Sequence, residues 1–145
     1  MTIPGRPITR KHRHTRMKVE ETHQDVLQNI EAAIVSVHRR HPEMLDYDVD
    51  GALEALVAWY TAEQRGRTAR EPVLHAPRQE VFEAVHEVCE WRLGRDASGP
   101  PPVGDGGVGV DVIVACLKKV RTSVQRWTRE GGRKGYLTFI RQFVF

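Results

Sequence analysis

The sequence predicts an all-α chain: an antiparallel four-helix bundle-like domain with a short fifth C-terminal helix and a flexible basic N-terminal arm. Three observations predict it. Apolar residues recur at three- and four-residue steps in four separate segments, the spacing that lines one face of a helix. Prolines and glycines punctuate the stretches between those segments, where helices stop. The chain has 145 residues, 40% apolar and 28% charged, which suits one domain around one core. No unit repeats at a period of about twenty to fifty residues, so a solenoid is not expected.

The elements follow in order. Residues 1–18 lack periodicity and carry two prolines, so they are expected to form the basic arm. Residues 19–145 form the domain. Its first helix is expected over about 21–40, with Val26, Leu27, Ile30, Ala33, Ile34 and Val37 on one stripe and Pro42 as the stop. The second opens in "DYDVDG", whose aspartates suit the positive end of a helix dipole. Val49, Ala52, Leu53, Leu56, Trp59 and Tyr60 line it, and Gly66 closes it. Pro77 suits the start of the third, where Val81, Phe82, Val85, Val88 and Cys89 share a face and Gly94 ends it. "GRDASGPPPVGDGGVG", residues 94–109, reads as a long Gly/Pro loop. The fourth helix is expected over about 110–130. Ile113, Cys116, Leu117, Val120, Val124 and Trp127 form its stripe. Gly131 and Gly132 are expected to break it before a fifth element in "GYLTFIRQFVF".

Net charge is +3, a small number that hides a strong asymmetry. Residues 1–20 carry +5, residues 21–116 carry −9, and residues 117–145 carry +7. Basic ends on an acidic body point to an electrostatic role for those ends. On a wheel with Val120 inward, Lys118 and Arg129 point outward, with Lys119 and Arg126 on one flank and Arg121 on the other. Arg133 and Lys134 extend the basic run through the glycines, and Arg10, Lys11, Arg13 and Arg16 supply the arm. Trp127 falls on the core side, so base stacking on it is not expected. The expected partner is therefore a polyanion met through phosphates, nucleic acid first. The alternative is a protein partner or another copy of the chain, joined through complementary acidic and basic faces.

Other functions find little in the sequence. Glu20-Glu21-Thr22-His23 and Glu83-Ala84-Val85-His86 match the Glu-x-x-His spacing of di-iron bundles. The wheel, however, turns Glu83 outward, and the fourth helix offers no interior acid. A second ligand set is His41, Cys89 and Cys116. These would share one layer if the helices ran alternately up and down, with His38 or Asp46 as a fourth zinc ligand. Against that, free cysteine behaves as a small apolar residue. Serines stand in no nucleophile elbow, and Glu63 at a helix end is expected to reach water. The chain is thus expected to be non-enzymatic and without a cofactor. Two cysteines outside any loop framework point to a reducing, cytoplasmic setting. The longest uncharged apolar run, Val112 to Leu117, is too short to span a bilayer, so no membrane role is expected.

Overall fold

In a computed structural model of the chain, four helices follow one another: α1 (Arg6–Arg40), α2 (Asp46–Gln64), α3 (Arg78–Arg92) and α4 (Val110–Arg141). The structure describes the backbone over residues 6–95 and 107–141, and side chains over residues 22–95, 107–126, 128 and 129. No strand occurs among the described residues.

Two helices are longer than their apolar stripes. α1 begins at Arg6, so most of the segment expected as an irregular arm carries helical backbone. Its lysines, arginines and methionine are good helix formers, and Pro7 falls in the first turn, where proline is tolerated. α4 runs on through Gly131 and Gly132 to Arg141, so the expected break and separate fifth helix give way to one helix. A glycine inside a helix costs only about 1 kcal/mol, and Arg129, Glu130, Arg133 and Lys134 favour helix on both sides. The expected core position of Trp127 lies outside the described side chains.

The middle elements start and stop where local chemistry directs. The Leu45 N–H donates to Asp48 Oδ2 at 3.1 Å, and Asp46 and Asp48 occupy the first turn of α2. At the other end Gly66 adopts φ +70°. This lets Arg67 N–H reach the Ala62 carbonyl at 2.8 Å, a Schellman-type closure. Gly94, φ +80°, does the same for α3, with Arg95 N–H on the Glu90 carbonyl at 2.9 Å. Val108 N–H then returns to the Arg92 carbonyl at 2.8 Å, so the two ends of the Gly/Pro loop meet at the end of α3.

The helices form a ring in which α1 packs on α3 and α4, and α2 packs on α3 and α4. Polar contacts give their directions. The Arg78 guanidinium lies 3.9 Å from Asp48, start beside start, and Arg95 bonds Glu63 at 3.0 Å, end beside end, so α2 and α3 run parallel. His41, just past α1, meets Glu80 at the start of α3, so α1 and α3 are antiparallel. Arg121 and Gln125 reach back to Asp50 near the start of α2, making α2 and α4 antiparallel. The Cys116 thiol donates to the His23 carbonyl at 3.8 Å, and Glu31 lies level with residues 118–123, so α1 and α4 are parallel.

The order is thus up, down, down, up, not the wholly antiparallel bundle expected. The cause is the connection between α2 and α3. Its thirteen residues, 65–77, can span about 40 Å when extended. The nineteen residues of α2 rise only about 28 Å, so the chain can return to the far end before starting α3.

The core holds the expected stripes. Val26, Ile30, Ile34 and Val37 of α1 are buried against Val49, Leu53, Leu56 and Tyr60 of α2, Val81, Phe82, Val85 and Cys89 of α3, and Ile113, Leu117, Val120 and Val124 of α4. Leu27, Ala33, Trp59 and Val88 are partly buried at its edge. Replacing Ile30 by alanine is expected to lower unfolding free energy by about 2–5 kcal/mol, and replacing exposed Gln28 by less than about 0.5 kcal/mol, measured by urea titration.

Candidate polyanion-binding face

Packing of the α4 stripe fixes which of its cations are taken up within the fold. On the flank toward α2, Arg121 Nε donates to Asp50 Oδ1 at 2.9 Å, and Nη2 lies 3.4 Å from Glu54 Oε2. Gln125 Nε2 donates to the same Asp50 oxygen at 2.9 Å. The bond to Asp50 leads in holding the Arg121 guanidinium more firmly protonated than usual.

Lys118, Lys119, Arg126 and Arg129 are exposed. None of the four makes an ion pair or hydrogen bond with a carboxylate among the described residues. At 100° per residue they fall within a sector of about 100°, with Thr122 and Ala115 between them. They form one side of α4, turned away from α2. The helical register continues position 133 in the same sector and position 134 about 60° beyond it. The side chains of Arg133 and Lys134 lie outside the described residues.

Arg10, Lys11, Arg13 and Arg16 belong to α1, and their side chains also lie outside the described residues. Their backbone placement follows from α1 itself. His23 sits beside Cys116, so positions 10–16 project past the level where α4 begins. Measured along parallel α1 and α4, positions 10 and 134 are about 45 Å apart. The basic positions are therefore spread along one pair of adjacent helices rather than gathered in a knot. The exposed acids Glu83 and Glu87 stand on α3, diagonally across the ring from α4.

The structure separates His41 from the other two candidate metal ligands. His41 lies at the pole where α3 begins, its Nε2 2.7 Å from Glu80 Oε2 and its Nδ1 3.2 Å from Glu43 Oε1. Cys89 is nine residues beyond Glu80 along α3, about 13 Å, near enough to Cys116 to feel its thiol, and Cys116 lies beside His23, at the pole opposite His41. The shared layer required the alternating order that this chain does not have. Both cysteines are free and buried, and burial pushes both thiols above the usual range, which suppresses the thiolate needed for metal or nucleophilic chemistry. No group of three or more His, Cys, Asp or Glu suited to a metal occurs among the described residues. In the Glu-x-x-His segment of α3, Glu83 is exposed and His86 stacks on Phe82 at 5.5 Å.

One polar network was not legible in the sequence. The buried Tyr60 hydroxyl donates to Glu90 Oε2 at 2.8 Å. Arg95 donates to the same oxygen at 2.8 Å and to Glu63 at 3.0 Å. Glu63 thus meets an arginine instead of simply reaching water. The network joins the ends of α2 and α3, and its partners come together only through their parallel packing. No helix among the described residues is long and apolar enough to cross a membrane. The chain matches no family model, no curated protein and no solved structure.

His41 gives a pH signature. Each ring nitrogen faces a carboxylate, and only the doubly protonated imidazolium donates to both. The bond to Glu43, then that to Glu80, raise its pKa above the ordinary value against opposing desolvation. A raised folded-state pKa stabilises fully below the unfolded value of about 6.5, and the effect is lost as pH rises through the folded value. His41→Ala is therefore expected to lower Tm more near pH 5.5 than near pH 8.5, read by thermal melts of both proteins; equal losses at the two pH values would contradict the clamp.

Proposed function

We propose that this chain is a non-enzymatic helical binding module that uses no cofactor. Its α4 face, continued by the basic N-terminal part of α1, contacts a polyanion, nucleic acid first. One observation carries the reading: Lys118, Lys119, Arg126 and Arg129 are exposed and unpaired with the chain's described carboxylates, while neighbouring Arg121 is paired with two. Cations already matched internally gain little from a phosphate. Exposed cations release condensed counterions when they meet one, which drives binding strongly at low salt. Arg133, Lys134, Arg10, Lys11, Arg13 and Arg16 are assigned to the same role through the helices that carry them. Cations distributed along helices are suited to tracking a backbone rather than reading a sequence. Two buried free cysteines fit a reducing, cytoplasmic setting.

The diagonal placement of α3 and α4 favours a second reading, assembly of the chain with itself. The exposed Glu83 and Glu87 of one copy would meet the α4 cations of the next. Such a contact joins two different surfaces and so builds open chains or rings rather than a two-fold dimer. It would appear in light scattering as a mass that rises with protein concentration and falls with salt.

The test of the first reading is fluorescence anisotropy with labelled single- and double-stranded oligonucleotides over a salt series. Replacing Lys118, Lys119, Arg126 and Arg129 together by glutamine is expected to weaken binding at least about tenfold at low salt. It is also expected to reduce the log–log salt slope by about 3. Arg121→Gln is expected to leave affinity within about twofold while lowering stability. Equal binding by the quadruple variant and the parent chain would overturn the assignment.

A further inference from the structure

An open cleft of about 420 Å³ runs between α1 and α4 beside the basic face. Leu27 and Glu31 line it from α1, and Lys118, Lys119, Thr122 and Ser123 from α4. Small side chains, Ala115 and Ser123 among them, leave room between α1 and α4 there.

The unusual member is Glu31. Its side chain is half-buried, and its carboxyl has neither a hydrogen bond nor an ion pair within the described structure. Burial raises its pKa to about 6, so near pH 8 it is an ionised acceptor that no donor of the described chain meets. Partly removed from water, such a carboxylate gains more from a ligand's N–H donors than one in open solvent does. Two N–H groups side by side would satisfy it best, one to each oxygen.

The ammonium groups of Lys118 and Lys119 leave this carboxylate unpaired and are available to phosphates. A ligand that uses all of these groups carries two adjacent N–H donors on one edge, an apolar part against Leu27 and Ala115, and a phosphate nearby. Among the nucleobases only guanine has two such neighbouring donors, N1–H and the N2 amino group. Adenine and cytosine place an acceptor beside their amino group, and uracil places its single N–H between two carbonyls. Each of those three turns lone pairs toward a carboxylate. In a Watson–Crick duplex the guanine edge is already used, so the strand must be unpaired there. The hydroxyls of Thr122 and Ser123 can bond the sugar or the remaining base edge.

The geometry points to the α1–α4 cleft as a pocket for one unpaired guanine of a single strand, with Glu31 accepting from its Watson–Crick edge and Lys118 and Lys119 holding the adjoining phosphates. This rests on the polyanion reading and narrows it to guanine-containing single strands.

The test uses the full chain near pH 8 and labelled single strands of about twelve nucleotides. One strand is uridine throughout, one has a central guanosine and one a central adenosine. The guanosine strand is expected to bind about tenfold more tightly than the other two. Glu31→Gln is expected to erase that preference while keeping or slightly strengthening uridine-strand binding, because it removes a negative charge. Ala115→Trp, at an exposed position, fills the cleft without altering Glu31 and is expected to erase the preference too. Thermal melts of both variants establish that they are folded. Binding of all strands without guanine preference overturns the pocket and leaves the basic face standing. A preference that survives in both variants also overturns the pocket. Failure to bind any of the single strands overturns the pocket, and failure to bind duplex as well overturns the polyanion reading with it.

Discussion

Burial of Ile113, Leu117, Val120 and Val124 fixes the rotation of α4, and the chemistry of its outer side follows from that rotation. With those four residues in the core, one flank of the helix must turn to α2 and the other to α1. Arg121 falls on the α2 flank and meets Asp50 and Glu54. Lys118, Lys119, Arg126 and Arg129 fall on the side no helix covers. Rotating α4 by one residue would bury a lysine and release Arg121, so the apolar stripe selects which cations remain outside. Burial of each such aliphatic side chain contributes roughly 1.5–3 kcal/mol, more than an exposed ion pair contributes. The rotation is therefore set by the core, and the Arg121 contacts follow from it.

The order of the helices adds the second constraint. Because α2 and α3 are parallel, α1 has α4 as a parallel neighbour, and the two longest helices of the chain lie side by side. The two segments with excess positive charge are the N-terminal part of α1 and the C-terminal half of α4. Side-by-side packing places both along one edge of the molecule. The acids of α3 are left on the opposite side, where they do not compete with an anion for the α4 cations.

The sequence made the stripes legible and the topology illegible. Val26, Ile30 and Ile34, or Leu53 and Leu56, announce a buried face through spacing alone, and the outward direction of Lys118 and Arg129 follows from the same wheel. Helix direction is a different kind of information. It depends on whether residues 65–77 turn tightly or run the length of the bundle, and composition does not distinguish the two. That one ambiguity brought the end of α3 and the start of α4 to the pole of His41 and made a ligand set with Cys89 and Cys116 look possible. It also hid the meeting of Tyr60, Glu90, Arg95 and Glu63. Helix ends failed for another reason: Pro7, Gly131 and Gly132 lower helix propensity locally, and strong helix formers around them outweigh that loss. Glu31 was unreadable because its burial and lack of a partner arise from α4 packing beside α1.

The central claim is that the α4 cations stand free in the folded chain and become covered by a polyanion. Acylation of lysine side chains, followed by mass spectrometry, measures this directly at Lys118 and Lys119. The account predicts rapid modification of both in the free protein, strong protection when excess single-stranded nucleic acid is added at low salt, and recovery at high salt. Protection already present in the free protein, or modification unchanged by nucleic acid, would contradict it.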